Sequence, residues 1–88
     1  MTSKERARLR SLASKEDTVV LIGKSGITES VIASVETAIA ARELIKGRVL
    51  ESSMLTAQEA CAQLAEALNA EPVQAIGTKF ILYRKKKD

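Results

Sequence analysis

The chain contains no histidine, no tryptophan, one cysteine, one proline, one phenylalanine and one tyrosine. Without histidine, the usual general base near neutral pH and the commonest metal ligand are both missing. Any catalysis would fall to carboxylates, lysines or backbone groups. The lone thiol, Cys61, excludes an internal disulfide and puts a four-ligand zinc site out of reach. That cysteine usage suits a reducing cytosol. No apolar run approaches the roughly 18 residues that cross a bilayer, and Met1 to Lys15 lacks the apolar middle of a secretory signal. These absences lead to the expectation of a soluble, cytoplasmic protein with no membrane partner.

What is present is an ordinary globular balance of 45% apolar and 28% charged residues in 88 positions. A chain of this length forms one domain and buries only roughly 60 to 65% of its unfolded surface, so its core is thin. The expected boundary places the domain at residues 1–84 and a basic tail at residues 85–88. The net charge of +3 is unevenly spread: residues 1–17 carry five basic and three acidic groups, 18–78 carry four and seven, and 79–88 carry five and one. Positive ends around a negative middle are the footprint of a polyanionic partner, although charged tails also serve solubility.

Along the chain, Lys4 to Leu12 reads as a short helix with Leu9 and Leu12 on one side and Arg6 and Arg10 on another. Thr18 to Ile22 is a β-branched apolar run without polar alternation, which predicts a strand covered on both faces or set deep in a sheet. Thr28 is placed to cap a helix running from about Glu29 to Ala41, whose apolar stripe is Val31, Ile32, Val35 and Ile39. In ELIKGRVLE, residues 43–51, alternation sets Leu44, Lys46, Arg48 and Leu50 opposite Ile45, Gly47 and Val49, so one strand face is half basic. Thr56 and Glu59 form a capping box for a third helix with Ala60, Cys61, Leu64, Ala65 and Leu68 inward, ended by Asn69 and Pro72. Cys61 therefore reads as a small core residue. Two last apolar runs flank Gly77 and Thr78, a two-residue hairpin turn with glycine first. In the order helix, strand, helix, strand, helix, strand, strand, the strand-helix-strand units imply right-handed parallel crossovers while the last pair must be antiparallel, hence a mixed sheet.

Half of the four glycines stand in LIGKSGIT, residues 21–28, between the first strand and the second helix. The nucleotide-hydrolase loop G-x-x-x-x-G-K-[ST] does not fit, because its first glycine would fall at Thr18 and VVLI reads as strand. A G-x-x-G loop opening onto a helix offers different physics. With no Cβ at Gly23 and Gly26 a sugar-phosphate backbone can come close, the unpaired amides of the helix start point at it, and Lys24 adds a cation. Taken alone, the same spacing more often marks a turn that only redirects the chain.

Three separated motifs, VVLIGKSGIT, ELIK and VQAIGTKFILYR, with the helices between them, resemble the CRM domain of chloroplast RNA splicing and ribosome maturation, in its stand-alone bacterial YhbY-like form. The resemblance runs from about Leu9 to Arg84. It implies an α/β chain of the α+β two-layer kind: an open mixed four-stranded sheet packed with three helices in the order α-β-α-β-α-β-β, similar to the C-terminal domain of translation initiation factor 3. It also implies an RNA-binding, non-enzymatic protein whose partner is ribosomal RNA of large-subunit precursors. Its contacts would be Gly23, Lys24, Ser25 and Gly26 with Thr28, and Lys46 from the strand motif. Arg42 stands where the family often has histidine and is kept as a candidate positive contact to RNA, and Gly47 stands where the family often has a β-branched residue. Glycine there predicts a bulge or a close backbone approach.

Arg6 and Arg10 on the first helix and Lys79 near the hairpin are further candidate RNA contacts, while Arg84 to Lys87 is expected to be a free basic tail. With only Phe80 and Tyr83, at most one of them exposed, a base-stacking platform is excluded, so recognition should rest on backbone, 2′-hydroxyl and RNA shape. No catalytic residue, metal ligand or cofactor is expected, and the protein is read as a monomer. The rival reading is a protein-interaction module that docks on the ribosome or another complex without touching RNA.

Overall fold

A threonine starts each helix. In the computed structural model, which describes residues 2–15 and 20–85, Thr2 caps α1 (Ser3–Ala13) by accepting from the Glu5 amide at 3.1 Å. Thr28 caps α2 (Glu29–Arg42) by accepting from the Val31 amide at 3.2 Å. Thr56 caps α3 (Ala57–Leu68) with the full capping box: Thr56 accepts from the Glu59 amide and the Glu59 carboxylate accepts from the Thr56 amide, both at 3.0 Å. Each cap removes orphan donors that water would otherwise have to satisfy, and is worth about 1 kcal/mol. Asn69 ends α3 in the left-handed conformation, φ 54°, as its position before Pro72 suggested.

Between the helices lie β1 (Val20–Ile22), β2 (Leu44–Val49), β3 (Glu71–Ile76) and β4 (Lys79–Tyr83), in the sheet order β1-β2-β4-β3. β1 and β2 pair in parallel, and β4 pairs antiparallel to both β2 and β3, so the sheet is mixed. The β3–β4 hairpin turns on Gly77 at φ 60°, with positive φ at the first turn position only, as a glycine-first turn requires. The Val49 amide reaches back to the Thr78 carbonyl at 2.8 Å and ties that turn to β2.

Alternation along the strands divides the interior into two clusters. Val20, Ile22, Ile45, Val49, Phe80 and Leu82 face α2 and α3, where Val35, Ile39, Cys61 and Leu64 close the main core. Ile81 and Val73 face the other way and meet Leu9 and Ala13 of α1, with Leu44 and Tyr83 at the margin. The two expected layers are thus the sheet and the α2–α3 pair, and α1 adds partial cover on the second face.

That partial cover changes two expectations. α1 buries Leu9 with Ala13, four residues apart, while Leu12 is 48% exposed; the i, i+4 pair aims more directly at the sheet than Leu9 and Leu12 do. β1 is an edge strand that α1 does not reach, so Leu21 is 59% exposed and the strand is covered on one face only. Thr18 and Val19, the start of the expected strand, lie outside the described residues. Gly47 produces neither a bulge nor a backbone approach. It pairs in register with Val20 and Phe80, and a Cβ there would stand 2.2 Å from Phe80 Cζ, so the glycine exists to seat the aromatic ring.

Candidate functional site

The G-x-x-G segment leaves the end of β1 and forms a tight turn closed by the Gly26 amide, which donates to the Gly23 carbonyl at 2.9 Å. Gly26 sits at φ +70°, a conformation that side chains with a Cβ rarely adopt, so its identity follows from the turn itself. Gly23 is different. Its φ is negative, and a Cβ would meet nothing nearer than Leu50 Cδ1 at 3.8 Å, an ordinary contact. The fold does not explain why Gly23 is glycine.

Lys24 and Ser25 are exposed at the tip, and their amides make no hydrogen bond among the described residues. Neither do the amides of Glu29 and Ser30, the first two of α2. The loop thus stands over the positive end of a 14-residue helix with unpaired donors and one cation. Gly26 N–H is tied into the turn, whereas Thr28 Oγ1 only accepts the cap bond from Val31 and, among the described residues, keeps its O–H free to donate to a ligand. The wall behind the loop is the Leu50–Leu55 segment, with Leu50 beside Gly23 and Leu55 Cδ1 3.9 Å from the position of a Gly26 Cβ.

Strand register decides which basic residues share the loop's end of the molecule. Ile22 aligns with Val49, and Arg48 with Lys79. Hence the loop, Arg48, Lys79 and the Gly77–Thr78 turn all lie at one end of the sheet. Lys46 and Lys79 project to the α1 side, where Arg10 joins them around a shallow hollow. Arg6, one turn earlier on α1, lies instead beside Gln58, Pro72 and Gln74. Arg42 is at the C-terminal end of α2, about 21 Å along the helix from the loop at 1.5 Å per residue. The structure therefore gathers Lys46, Lys79 and Arg10 on the α1 face, sets Lys24 in the loop at the end of the sheet where Lys79 lies, and leaves Arg42 at the opposite end and Arg6 to the side.

Two features were not named from the sequence as parts of the site. Arg48, which alternation already sets on the basic face of β2, belongs with these cations. Met54, 92% exposed and left-handed at φ 59°, projects beside the wall of the loop. Its turn is fastened by buried Ser53, whose hydroxyl donates to the Leu50 carbonyl at 2.8 Å and accepts from the Leu55 amide at 3.2 Å. Arg84 corrects the free-tail expectation. Its guanidinium makes a two-pronged pair with Glu36 at 2.6 and 3.0 Å and also donates to the Leu68 carbonyl at 2.9 Å, so it clamps α2, α3 and the end of β4 together.

Cys61 is buried, with its thiol facing the Gln74 and Ile81 carbonyls, and burial pushes its pKa up to about 11, the opposite of an activated thiol. Among the described residues no cluster of histidine, cysteine, aspartate or glutamate is arranged to hold a metal, and no helix is long and apolar enough to cross a membrane. Phe80 is fully buried and Tyr83 half-buried, so no aromatic platform is displayed. The surface suits an extended anion held by amides and cations.

A small mixed sheet with a G-x-x-G loop at its end and helices on both faces defines a class, and the CRS1 / YhbY (CRM) domain family model matches residues 1–84. The chain belongs to that family. It is 31% identical over 88 residues to the probable RNA-binding protein YqeI of Bacillus subtilis, covering all of this chain and 92% of that protein. It is also 34% identical over 84 residues to an RNA-binding protein of Haemophilus influenzae, covering 96% of this chain and 85% of the relative. The solution structure of SAV1595 from Staphylococcus aureus superposes with a TM-score of 0.79 at 36% identity, over all of this chain and 92% of the other.

Proposed function

We propose that this chain is an RNA-binding protein acting in assembly of the large ribosomal subunit. It grips ribosomal RNA through the Gly23–Gly26 loop, without catalysis or cofactor, as a cytoplasmic monomer. The observation that carries this reading is Gly23, a glycine that neither backbone conformation nor packing demands, beside an exposed lysine and unpaired amides. A missing Cβ at such a point leaves room for a sugar-phosphate backbone against the main chain. The names of the relatives and the scarcity of exposed aromatics support RNA recognised by backbone and shape.

Gly23→Ala separates this reading from a turn that only redirects the chain. The variant should melt with wild-type stability yet associate at least several-fold less with precursor large-subunit particles, and Lys24→Asp should associate less still. Nuclease treatment should release the wild type. If about five phosphates are engaged, affinity for isolated RNA should fall roughly a hundredfold between 50 and 200 mM salt. Full association of both variants would remove the loop from the function, and nuclease-resistant association would point to protein docking instead.

A further inference from the structure

The α1-facing side of the sheet holds a group of cations that the loop does not account for. Arg48 and Lys79 are direct cross-strand partners. Like charges placed opposite one another on a sheet destabilise it, and among the described residues no ion pair joins either of them to a carboxylate, Arg84 and Glu36 pairing at the other end of the sheet. One step further along, Lys46 and Lys79 join Arg10 of α1 around a hollow of about 180 Å³, with Ser14 and Gln74 as its neutral polar groups and Ile76 as its apolar wall. Ile76 is 65% exposed although it ends a strand with a partly covered face. Among the described residues no acidic side chain lines the hollow.

Three cations, neutral hydrogen-bonding groups and an apolar wall match the parts of a ribonucleotide: phosphate, 2′-hydroxyl and base edge, and the flat faces of sugar or base. The volume is that of about six waters, enough for a phosphate and part of its sugar. The hollow also lies on a continuous route from the loop. Leu21, exposed on the β1 edge, aligns with Arg48, and Arg48 with Lys79. We infer that a single-stranded RNA segment leaving the Gly23–Gly26 loop crosses the open sheet face over Arg48 and seats a sugar-phosphate unit in the hollow formed by Arg10, Lys46 and Lys79. This rests on the RNA-binding reading and adds a second, separate contact to it.

The test measures binding of a short fluorescein-labelled single-stranded RNA of mixed sequence between 50 and 200 mM salt by anisotropy, where each phosphate contact steepens the logarithmic slope by about 0.7. Lys46→Gln and Lys79→Gln should each make the slope shallower by about 0.7 and weaken binding about fivefold near 100 mM salt. Gln63→Glu, on the exposed side of α3, lowers the net charge equally and should leave the slope unchanged. Lys79→Gln also relieves the repulsion with Arg48, so its melting temperature should equal or exceed that of the wild type, which separates a lost contact from a damaged fold. If the wild type binds with a steep slope and both lysine variants keep it, the hollow is overturned while the loop reading stands, and any acidic protein partner of this face becomes the alternative. If the wild type shows no salt-dependent RNA binding, both fall together.

Discussion

Substituting Gly47 by alanine tests the packing logic of the sheet. In a strand interior, alanine ordinarily improves on glycine by about 0.5 to 1 kcal/mol, because glycine loses more backbone freedom on folding. At Gly47 the sign should reverse. The new methyl group would stand 2.2, 2.6 and 2.7 Å from Phe80 Cζ, Cε2 and Cε1, so the ring has to move by more than 1 Å to reach an ordinary contact near 3.5 Å. Phe80 is fully buried in the main cluster with Ile45, Leu64 and Leu82, so any shift of the ring pushes against the packed core. Overpacking of this kind costs about 1 to 3 kcal/mol, and the size of the required shift puts Gly47→Ala at the upper end, near 3 kcal/mol. In a domain of this length that lowers the melting temperature by roughly 12 to 24 °C. The assay is thermal unfolding followed by circular dichroism, repeated in a Phe80→Leu background, where the three clashing ring atoms are gone. There the alanine should cost less than about 1 kcal/mol, a coupling of about 2 kcal/mol or more. A Gly47→Ala protein that melts within about 2 °C of wild type, or that loses the same stability in both backgrounds, would refute the reasoning.

Cys61 should make stability fall in alkali. Its thiol titrates near 11 when folded against an ordinary value of 9.0, so between those values the unfolded chain gives up its proton first and the stability of the neutral buried thiol drains away as pH rises. The loss has an upper bound of about 2 to 3 kcal/mol. It should appear as a steeper decline in melting temperature above pH 9 for wild type than for Cys61→Ala, and parallel curves would contradict it. Met54→Gly should raise stability by about 1 kcal/mol, because a left-handed residue is relieved at a side chain that packs on little. A melting temperature below that of wild type would show that the exposed methionine contributes to the fold.

Local signals were readable in the sequence to the extent that they act within one turn. The capping box of Thr56 and Glu59, the cap at Thr28 and the glycine-first hairpin each involve residues at most four apart, and each stands as the spacing implied. The basic side of β2 was likewise legible from alternation, since pleating alone sets Lys46 and Arg48 on one face. What sequence left open depends on contacts made far along the chain. Gly47 is explained only by Phe80 opposite it, and Arg84 becomes a clamp only because Glu36, 48 residues earlier, arrives beside it. Leu21 reads as buried because its neighbours are apolar, yet its exposure follows from which strands α1 happens to cover. The turn that presents Met54 rests on a single buried serine hydroxyl, a pattern with no repeating period to betray it.

The outer strand β3 carries Pro72 beside an irregular step in its pairing with β4, between Pro72 and Gln74. A proline offers no donor, and an irregular strand cannot hold an even ladder, so a second chain approaching that margin finds an interrupted template. On the opposite margin, β1 pairs over only Val20–Ile22 among the described residues. A sheet with one face half bare would otherwise invite end-to-end polymerisation. Ragged margins let it keep that face open while discouraging copies of itself from growing onto it.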